Sequence, residues 1–464
     1  MGDEERRRPL APAGSKPNIV MFLVDTLRAD RLGAYGYTAR RTSPHIDALA
    51  AESVLFEQAS SAAPWTLPSV ASLFTSTYPC EHQLLARRQR LNKSFVTLAQ
   101  QLRREGYLTI SMFANAFVGS QFGLARGFEI VRPSQRNNAT RVGGVLSARP
   151  EHAFFLYVHN MEPHDPHHYA PRELEGFRTV DKASRARLKR LFDEYKRAGE
   201  HDYRNRQPLG TTDVTAEQDA QLQAFMQERE TWSELYDACV FAADRRVGTV
   251  IDLLKQRGLW DNTIFILLSD HGEELGDHGG WLHDQSVYQE LLHVPLIIRF
   301  PHGENAGRRV REPVSLVDVM PTLLSYLGVA EPPQGMRGRD LGALVRGEPA
   351  APGESLLIAG MRHNTTRYYR PWAEQRGDVN IAVRGGWWKG IWNVGPDRFE
   401  LYDLGTDAGE RNDVASANAA LVATMRTFAR GWYETCRSER RETETIEQLD
   451  EQTLRNLRAL GYVE

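Results

Sequence analysis

The sequence predicts an α/β fold, with a mainly parallel sheet covered by helices on both faces and then a smaller unit of antiparallel strands. Three observations carry this. Asn18 to Val24 (NIVMFLV), Phe154 to Val158 and Ile264 to Leu268 are unbroken apolar runs of strand length, the pattern of strands buried on both faces. Helical patterns lie between them, as crossovers between parallel strands require. Toward the C-terminus, Asn380 to Arg384 and Trp387 to Val394 flank Gly385-Gly386, which reads as a β-hairpin.

With 464 residues the chain exceeds one ordinary core, which favours a large domain plus a small one. Apolar residues make up 41% and charged residues 25%, ordinary proportions for a folded globular protein. A net charge of −3 supplies no basic field for nucleic acid, so any anion must be held locally. No run approaches the ~18 apolar residues of a membrane span. Cys80, Cys239 and Cys436 lie far apart without metal or redox spacing, which favours reduced or simply buried thiols over a disulfide framework. Residues 1–16 lack the apolar segment of a secretory signal. Arg6 to Arg8 are followed only by the short run from Ile19, which has a better use as a strand. A disordered leader and a cytoplasmic protein are expected, with homo-oligomerisation left open.

In chain order, the first strand ends on Asp25, which is either a helix cap or a ligand. Pro64 and Pro68 bracket Thr66, and Pro68 suits a first helical turn. Thr66 is then either a capping residue or a nucleophile placed where helix amides stabilise anions. Phe95 to Glu105 reads as a helix and Leu108 to Phe113 as a strand, before Ala114-Asn115-Ala116. Phe154 to Val158 runs into a histidine-rich loop, His159 to His168, either solvated or facing the same pocket as Asp25. About residues 171–235 form a charged helical insertion, external or acting as a lid. Trp232 to Gly258 is a long helix leading to the third apolar strand, which stops at Ser269-Asp270-His271-Gly272. A carboxylate and an imidazole at the carboxyl end of a buried strand sit where open α/β sheets build their sites, and both bind divalent metals.

Val294 to Phe300 is a further strand and Val310 to Leu327 a helix-forming segment. Pro332 to Gly353, rich in Gly and Pro, reads as the connection to the second unit. There the hairpin is followed by a third strand, Phe399 to Leu404, and a helix near Ala417 to Tyr433. Trp387, Trp388 and Trp392 read as core or interface. The expected division is a leader at 1–16, a catalytic domain at 17–350, a small α+β domain at 351–437 and a helical tail at 438–464.

Asn18 to Tyr37, Pro64 to Pro79, His159 to His164, Ser269 to Gly279 and Leu401 to Val414 together resemble the sulfatase family of the alkaline phosphatase superfamily, in order and over nearly the whole chain. The resemblance implies an alkaline-phosphatase-like large domain with a mixed, mostly parallel sheet and a smaller C-terminal domain with an antiparallel one. It also implies that Asp25, Asp270 and His271 bind a divalent metal (Zn, Mn, Ca or Mg) beside Thr66 as nucleophile. Three departures stand out. The family carries Cys or Ser at the nucleophile, within C/S-x-P-S-R, and oxidises it to formylglycine. This chain has Thr66-Leu67-Pro68-Ser69-Val70, so no formylglycine is expected. Thr26 replaces the second acid of an Asp-Asp pair, and Ala114-Asn115-Ala116-Phe117 stands where many members place Lys and His. A threonine nucleophile is similar to that of superfamily phosphodiesterases and phosphoethanolamine transferases. His164 and His283, the latter twelve residues after His271, match imidazoles of those transferases, whose membrane spans this chain lacks.

The expected function is hydrolysis of a small-molecule phosphate ester, mono- or diester. Thr66 attacks phosphorus in line, and water then cleaves the phosphothreonine. His164 and His283 either bind a second metal or, with His159, move protons, while Asn115 contacts a non-bridging oxygen. Two rivals remain: a sulfate ester hydrolase working without formylglycine, and a non-catalytic anion-binding protein.

Overall fold

The continuous apolar runs become the centre of a mixed sheet. In the computed structural model, which describes residues 9–133, 139–148, 151–164, 227–349, 356–363 and 379–459 with positions 183, 186, 187 and 190, that sheet has eight strands. They are β1 (Asn18–Val24), β2 (Val54–Phe56), β3 (Leu108–Phe113), β4 (Ile130–Pro133), β5 (Phe154–Asn160), β6 (Thr263–Leu268), β7 (Leu296–Arg299) and β8 (Arg309–Val310). Their order is β8-β2-β7-β6-β1-β5-β3-β4. β1 runs parallel to both β5 and β6, whereas β7 is antiparallel to β6 and β2. Leu23 pairs with His159 on one side and with Leu268 on the other. Asp25, His159 and Asp270 therefore reach the carboxyl edge of the sheet on adjacent strands, about 4.8 Å apart in the sheet direction.

Every β1 side chain is buried because both faces are covered. Ile19, Met21 and Leu23 share a core with Leu67, Val70 and Leu73 of helix α1 (Thr66–Thr75). Val20, Phe22 and Val24 pack with Leu235, Tyr236 and Val247 of helix α2 (Arg229–Gln256). The segment Val310 to Leu327 is not one helix. It begins on the last residue of β8 and passes through a second short strand at Val314–Ser315, because Ser315 and Asp318 form a capping box that starts the helical turn only at Leu316.

The second sheet runs β9 (Leu357–His363), β10 (Val379–Gly385), β11 (Trp388–Asn393) and β12 (Arg398–Asp403), antiparallel in chain order. Gly385 pairs with Trp388, so the turn is Gly386-Trp387, one residue later than expected, with Gly386 at φ 56°. Trp392 is core, whereas Trp387 is half exposed. Helix α3 (Ala419–Ser438) covers one face. The tail then returns to the large sheet's domain. Glu444–Thr445 pairs with Gln89–Arg90, and Leu457 of the final helix α4 (Glu451–Ala459) is fully buried.

Two expectations are corrected. Cys80 and Cys436 form a disulfide with a Cα–Cα distance of 5.8 Å, 356 residues apart in sequence, leaving Cys239 as a buried thiol. Sequence spacing is silent about a pair that only the docking of α3 on the turn Pro79–His82 brings together. The leader is anchored from Ala11 onward, whose N–H donates to Gly106 O at 2.8 Å. Residues 1–8 and, apart from the four isolated positions, the insertion up to residue 226 lie outside the described residues. Among the described residues no helix is long and apolar enough to cross a membrane.

A peptide map without reductant should recover Cys80 and Cys436 in one linked peptide and Cys239 unlinked. Cys436→Ser should lower stability by about 2–4 kcal/mol in urea unfolding; two separate thiol peptides would contradict the pairing.

Candidate active site

Asp25 leaves β1 fully buried, and the chain then turns sharply through Thr26, a β-branched residue at φ 56°. Such a conformation persists only where its surroundings enforce it. Here the Tyr236 hydroxyl donates to Thr26 O at 2.5 Å and Leu27 N–H donates to Ser269 Oγ at 2.9 Å. Thr26 Oγ1 is buried with no hydrogen-bond partner. It adds no charge where the resemblance places an acid.

Thr66 is the first residue of α1, and the cap position belongs to Trp65, which makes no side-chain cap. The hydroxyl of Thr66 therefore does not serve the helix end. Its Oγ1 lies 3.3 Å from His271 Nε2 and 3.5 Å from Asp25 Oδ2. Asn115 Nδ2 donates to Asp25 Oδ2 at 3.0 Å and to Thr66 Oγ1 at 3.2 Å, while its Oδ1 accepts from Phe117 N–H at 3.1 Å and so fixes the amide orientation. The carbonyl of Asp270 accepts from Ser69 Oγ of α1 and from Ser61 Oγ, which ties the helix that carries Thr66 to the end of β6.

Asp25, His159 and Asp270 offer ligand atoms all within 4.8 Å of one another. His271 Nε2 lies 3.5 Å from Asp25 Oδ1 and 3.5 Å from Asp270 Oδ2. Its Nδ1 donates to Gly272 O at 2.9 Å, which leaves Nε2 as a lone pair aimed at two carboxylates. Burial, with His283 alongside, pushes His271 down to about 3, so the ring is neutral. Burial pushes the Asp25 carboxyl up, yet the His164, His159 and His271 imidazoles hold it well below the usual carboxylate range. Asp270 is pushed well above that range by burial and by the Asp25 charge. Asp25 Oδ1 and both Asp270 oxygens are buried and have no hydrogen-bond partner among the described residues. Two acids and a neutral imidazole lone pair converging on one point, with no donor among them, fit a divalent cation.

The structure brings Asp25, Thr66, Asn115, His159, Asp270 and His271 together. His159 joins the ligand cluster itself, with Nε2 3.0 Å from Asp25 Oδ2 and Nδ1 paired with the Tyr157 hydroxyl at 3.1 Å. His283 lies against His271 and His164, with ring centroids 4.7 and 5.0 Å away, and its Nδ1 faces Glu273 Oε1 at 3.2 Å. His164 and His283, expected either to bind a second metal or to move protons, lie next to each other beside the cluster of Asp25, His159 and Asp270. The sequence reading missed Arg28. Its buried guanidinium donates to Glu273 O at 3.0 Å, to Asp277 Oδ2 at 2.7 Å and to both oxygens of Asp30, clamping the loop after Asp270. A charged residue three positions past a buried strand end was the available signal.

A family profile described as Sulfatase matches residues 17–329, and one described as the C-terminal part of N-sulphoglucosamine sulphohydrolase matches residues 276–428. The chain belongs to the sulfatase family. Among its relatives, an ulvan-active sulfatase of Formosa agariphila is 28% identical over 74% of this chain and 68% of that protein. A delta 4,5-hexuronate-2-O-sulfatase of Bacteroides thetaiotaomicron is 25% identical over 87% of this chain and 86% of its own length. Two solved structures share the fold. One, in complex with its substrate D-glucosamine-2-N,6-O-disulfate, has a TM-score of 0.69 at 19% identity, covering 94% of this chain and 100% of that one. A phosphonate monoester hydrolase of Agrobacterium radiobacter has a TM-score of 0.65 at 20% identity, covering 94% and 99%. This sulfatase-family hydrolase thus sits among relatives named mostly for sulfate esters, and the expectation of a phosphate ester, drawn from Thr66, is not the reading they favour.

Two predictions concern the cluster. Because the folded pKa of Asp270 is raised, its contribution in metal-free protein is full below its unfolded value near pH 4 and is lost as pH rises toward the raised value. A cation takes the place of that proton, so the Tm gain on adding Mn2+ or Ca2+ should grow as the pH rises above about 4; a gain that shrinks with pH contradicts the assignment. A Cβ on Gly272 would run into the Glu290 carbonyl oxygen, so Gly272→Ala should weaken Mn2+ binding about 10–100-fold in calorimetry.

Proposed function

We propose that this member of the sulfatase family hydrolyses sulfate esters of small molecules, with Thr66 as a direct nucleophile. The observation that carries the reading is Thr66 Oγ1, 3.2 to 3.5 Å from Asn115, His271 and Asp25, in a chain whose named relatives are sulfatases. Carbohydrate sulfates are the first substrates to test, given the names those relatives carry.

Asp25, Asp270 and His271, with His159 as a further donor, hold the divalent cation. When bound, that cation lowers the pKa of a neighbouring hydroxyl and neutralises the substrate's charged oxygens. Thr66 Oγ, ionised with its proton released to solvent, forms the new bond to sulfur while the bond to the leaving oxygen breaks, and it returns as the alkoxide when the ester is cleaved. His283 or His164 gives the leaving oxygen its proton, and Asn115 donates to a non-bridging oxygen. The sulfothreonine has no second hydroxyl from which to expel sulfate, so water must attack sulfur to restore Thr66, and the same imidazoles take the proton of that water.

A second reading, phosphate or phosphonate ester hydrolysis, is favoured by one specific observation. Threonine at position 66 suits a phosphothreonine intermediate as well as a sulfothreonine, and phosphonate monoester hydrolases share the fold. The Cys80–Cys436 disulfide supports an oxidising compartment over the cytoplasm.

Purified, metal-loaded protein should be assayed on aryl sulfate, N-acetylglucosamine 6-sulfate, aryl phosphate, a phosphodiester and a phenylphosphonate ester. The sulfates are expected to turn over fastest, with kcat down by about 10³ or more in Thr66→Ala and within about tenfold in Thr66→Ser. Faster phosphate or phosphonate turnover establishes the second reading. Full activity of Thr66→Ala removes the nucleophile assignment.

A further inference from the structure

Two residues in left-handed conformation flank His283, namely Leu282 at φ 68° and Asp284 at φ 70°. Neither is glycine, so this turn relaxes unless its neighbours hold it. Asp284 is held from two sides. Its N–H donates to Pro64 O at 2.9 Å, two residues before Thr66. Its own carbonyl accepts from Arg362 Nε at 2.9 Å.

Arg362 comes from β9, the edge strand of the C-terminal sheet, and that strand also grips the nucleophile segment. Met361 N–H donates to Ala62 O at 2.9 Å, and Gly360 lies so close to Ser61 that an added Cβ would press on the Ser61 carbonyl oxygen. Arg362 itself is buried, 6% exposed. Its Nη1 donates to Asn380 Oδ1 at 3.0 Å, and Asn380 Nδ2 in turn donates to Asn393 Oδ1 at 2.6 Å. Segments 61–64, 282–284 and 360–362 thus close a hydrogen-bonded ring, and the imidazole of His283 is the chemical group that this ring seats beside His271.

We propose that Arg362 is a positioning residue which, by holding the strained turn 282–284 through the Asp284 carbonyl, seats His283 in the active site and makes the C-terminal sheet part of the catalytic machinery. This rests on the proton-transfer role proposed above for His283. A lysine at 362 can reach one acceptor but not fork between Asp284 O and Asn380 Oδ1. Loss of the fork frees the Asp284 carbonyl, the two left-handed residues relax, and the imidazole swings out of line.

The test uses the full chain with Arg362→Ala, Arg362→Lys, His283→Ala and the Arg362→Ala/His283→Ala double variant. Labelling of His283 by diethyl pyrocarbonate, read by peptide mass spectrometry, needs no turnover. Arg362→Ala should raise it several-fold and Arg362→Lys less, while the fully buried His159 stays unlabelled in all. In the substrate assay Arg362→Ala should lower kcat about 10–100-fold with bound metal and KM little changed. Added guanidinium should restore part of the loss, and Arg362→Ala should cost nothing further in the His283→Ala background. Wild-type labelling of His283 in Arg362→Ala or, should that variant not fold, in Arg362→Lys overturns the proposal, as do losses that multiply in the double variant. If His283→Ala alone turns over normally, the role assigned to His283 fails, and the labelling still decides whether Arg362 seats the turn.

Discussion

Two buried carboxylates at the ends of neighbouring strands are the constraint on which the rest of this structure depends. Asp25 and Asp270 carry no exposed surface, and among the described residues three of their four oxygens have no hydrogen-bond partner. Two such charges cannot both ionise in an apolar interior without compensation. A retained proton is one solution, since burial and the Asp25 charge push the Asp270 carboxyl well above the usual carboxylate range. A divalent ion is the solution that the neutral His271 and the convergent His159 also satisfy.

The surrounding structure keeps these acids together against their repulsion. The parallel pairing of β1 with β5 and β6 sets the lateral spacing, and the carbonyl of Asp270 is pinned by Ser61 and Ser69. Arg28 compensates charge at one remove, since it binds Asp30 and Asp277 rather than the metal acids and so draws the loop after Asp270 inward without neutralising the cluster. The C-terminal sheet grips the opposite side through β9. The tail crosses back over the larger domain and is tethered by the Cys80–Cys436 bond. Of the segments that assemble the site, those at 61–64 and 282–284 are bonded directly to the C-terminal sheet.

On the reading proposed above, threonine in place of a residue convertible to formylglycine would change what the second half-reaction demands. A geminal diol releases sulfate by elimination, whereas a threonine ester is cleaved by water at the central atom. On that reading His283, packed against His271 and His164, is placed to give and take the proton.

Much of this was legible in the sequence because it follows from local pattern. Asp25 and Asp270 announced themselves as acids terminating continuous apolar strands, and Thr66 by the prolines around it. What stayed hidden was set by tertiary contact. The role of Cys80 and Cys436 depends on a helix docking more than 350 residues downstream. His159 looked like one histidine among several until the register of β5 against β1 placed it level with Leu23. β9 carries Gly360 and Arg362 in no alternating pattern, so neither the strand nor its contact with the His283 turn could be read in advance. Crystals soaked in Mn2+ and measured at its absorption edge test the central claim most directly. The account predicts one anomalous peak about 2.0–2.4 Å from carboxylate oxygens of both Asp25 and Asp270, with Thr66 Oγ alongside. A peak elsewhere, or Asp25 and Asp270 joined by a shared proton with no peak between them, would contradict it.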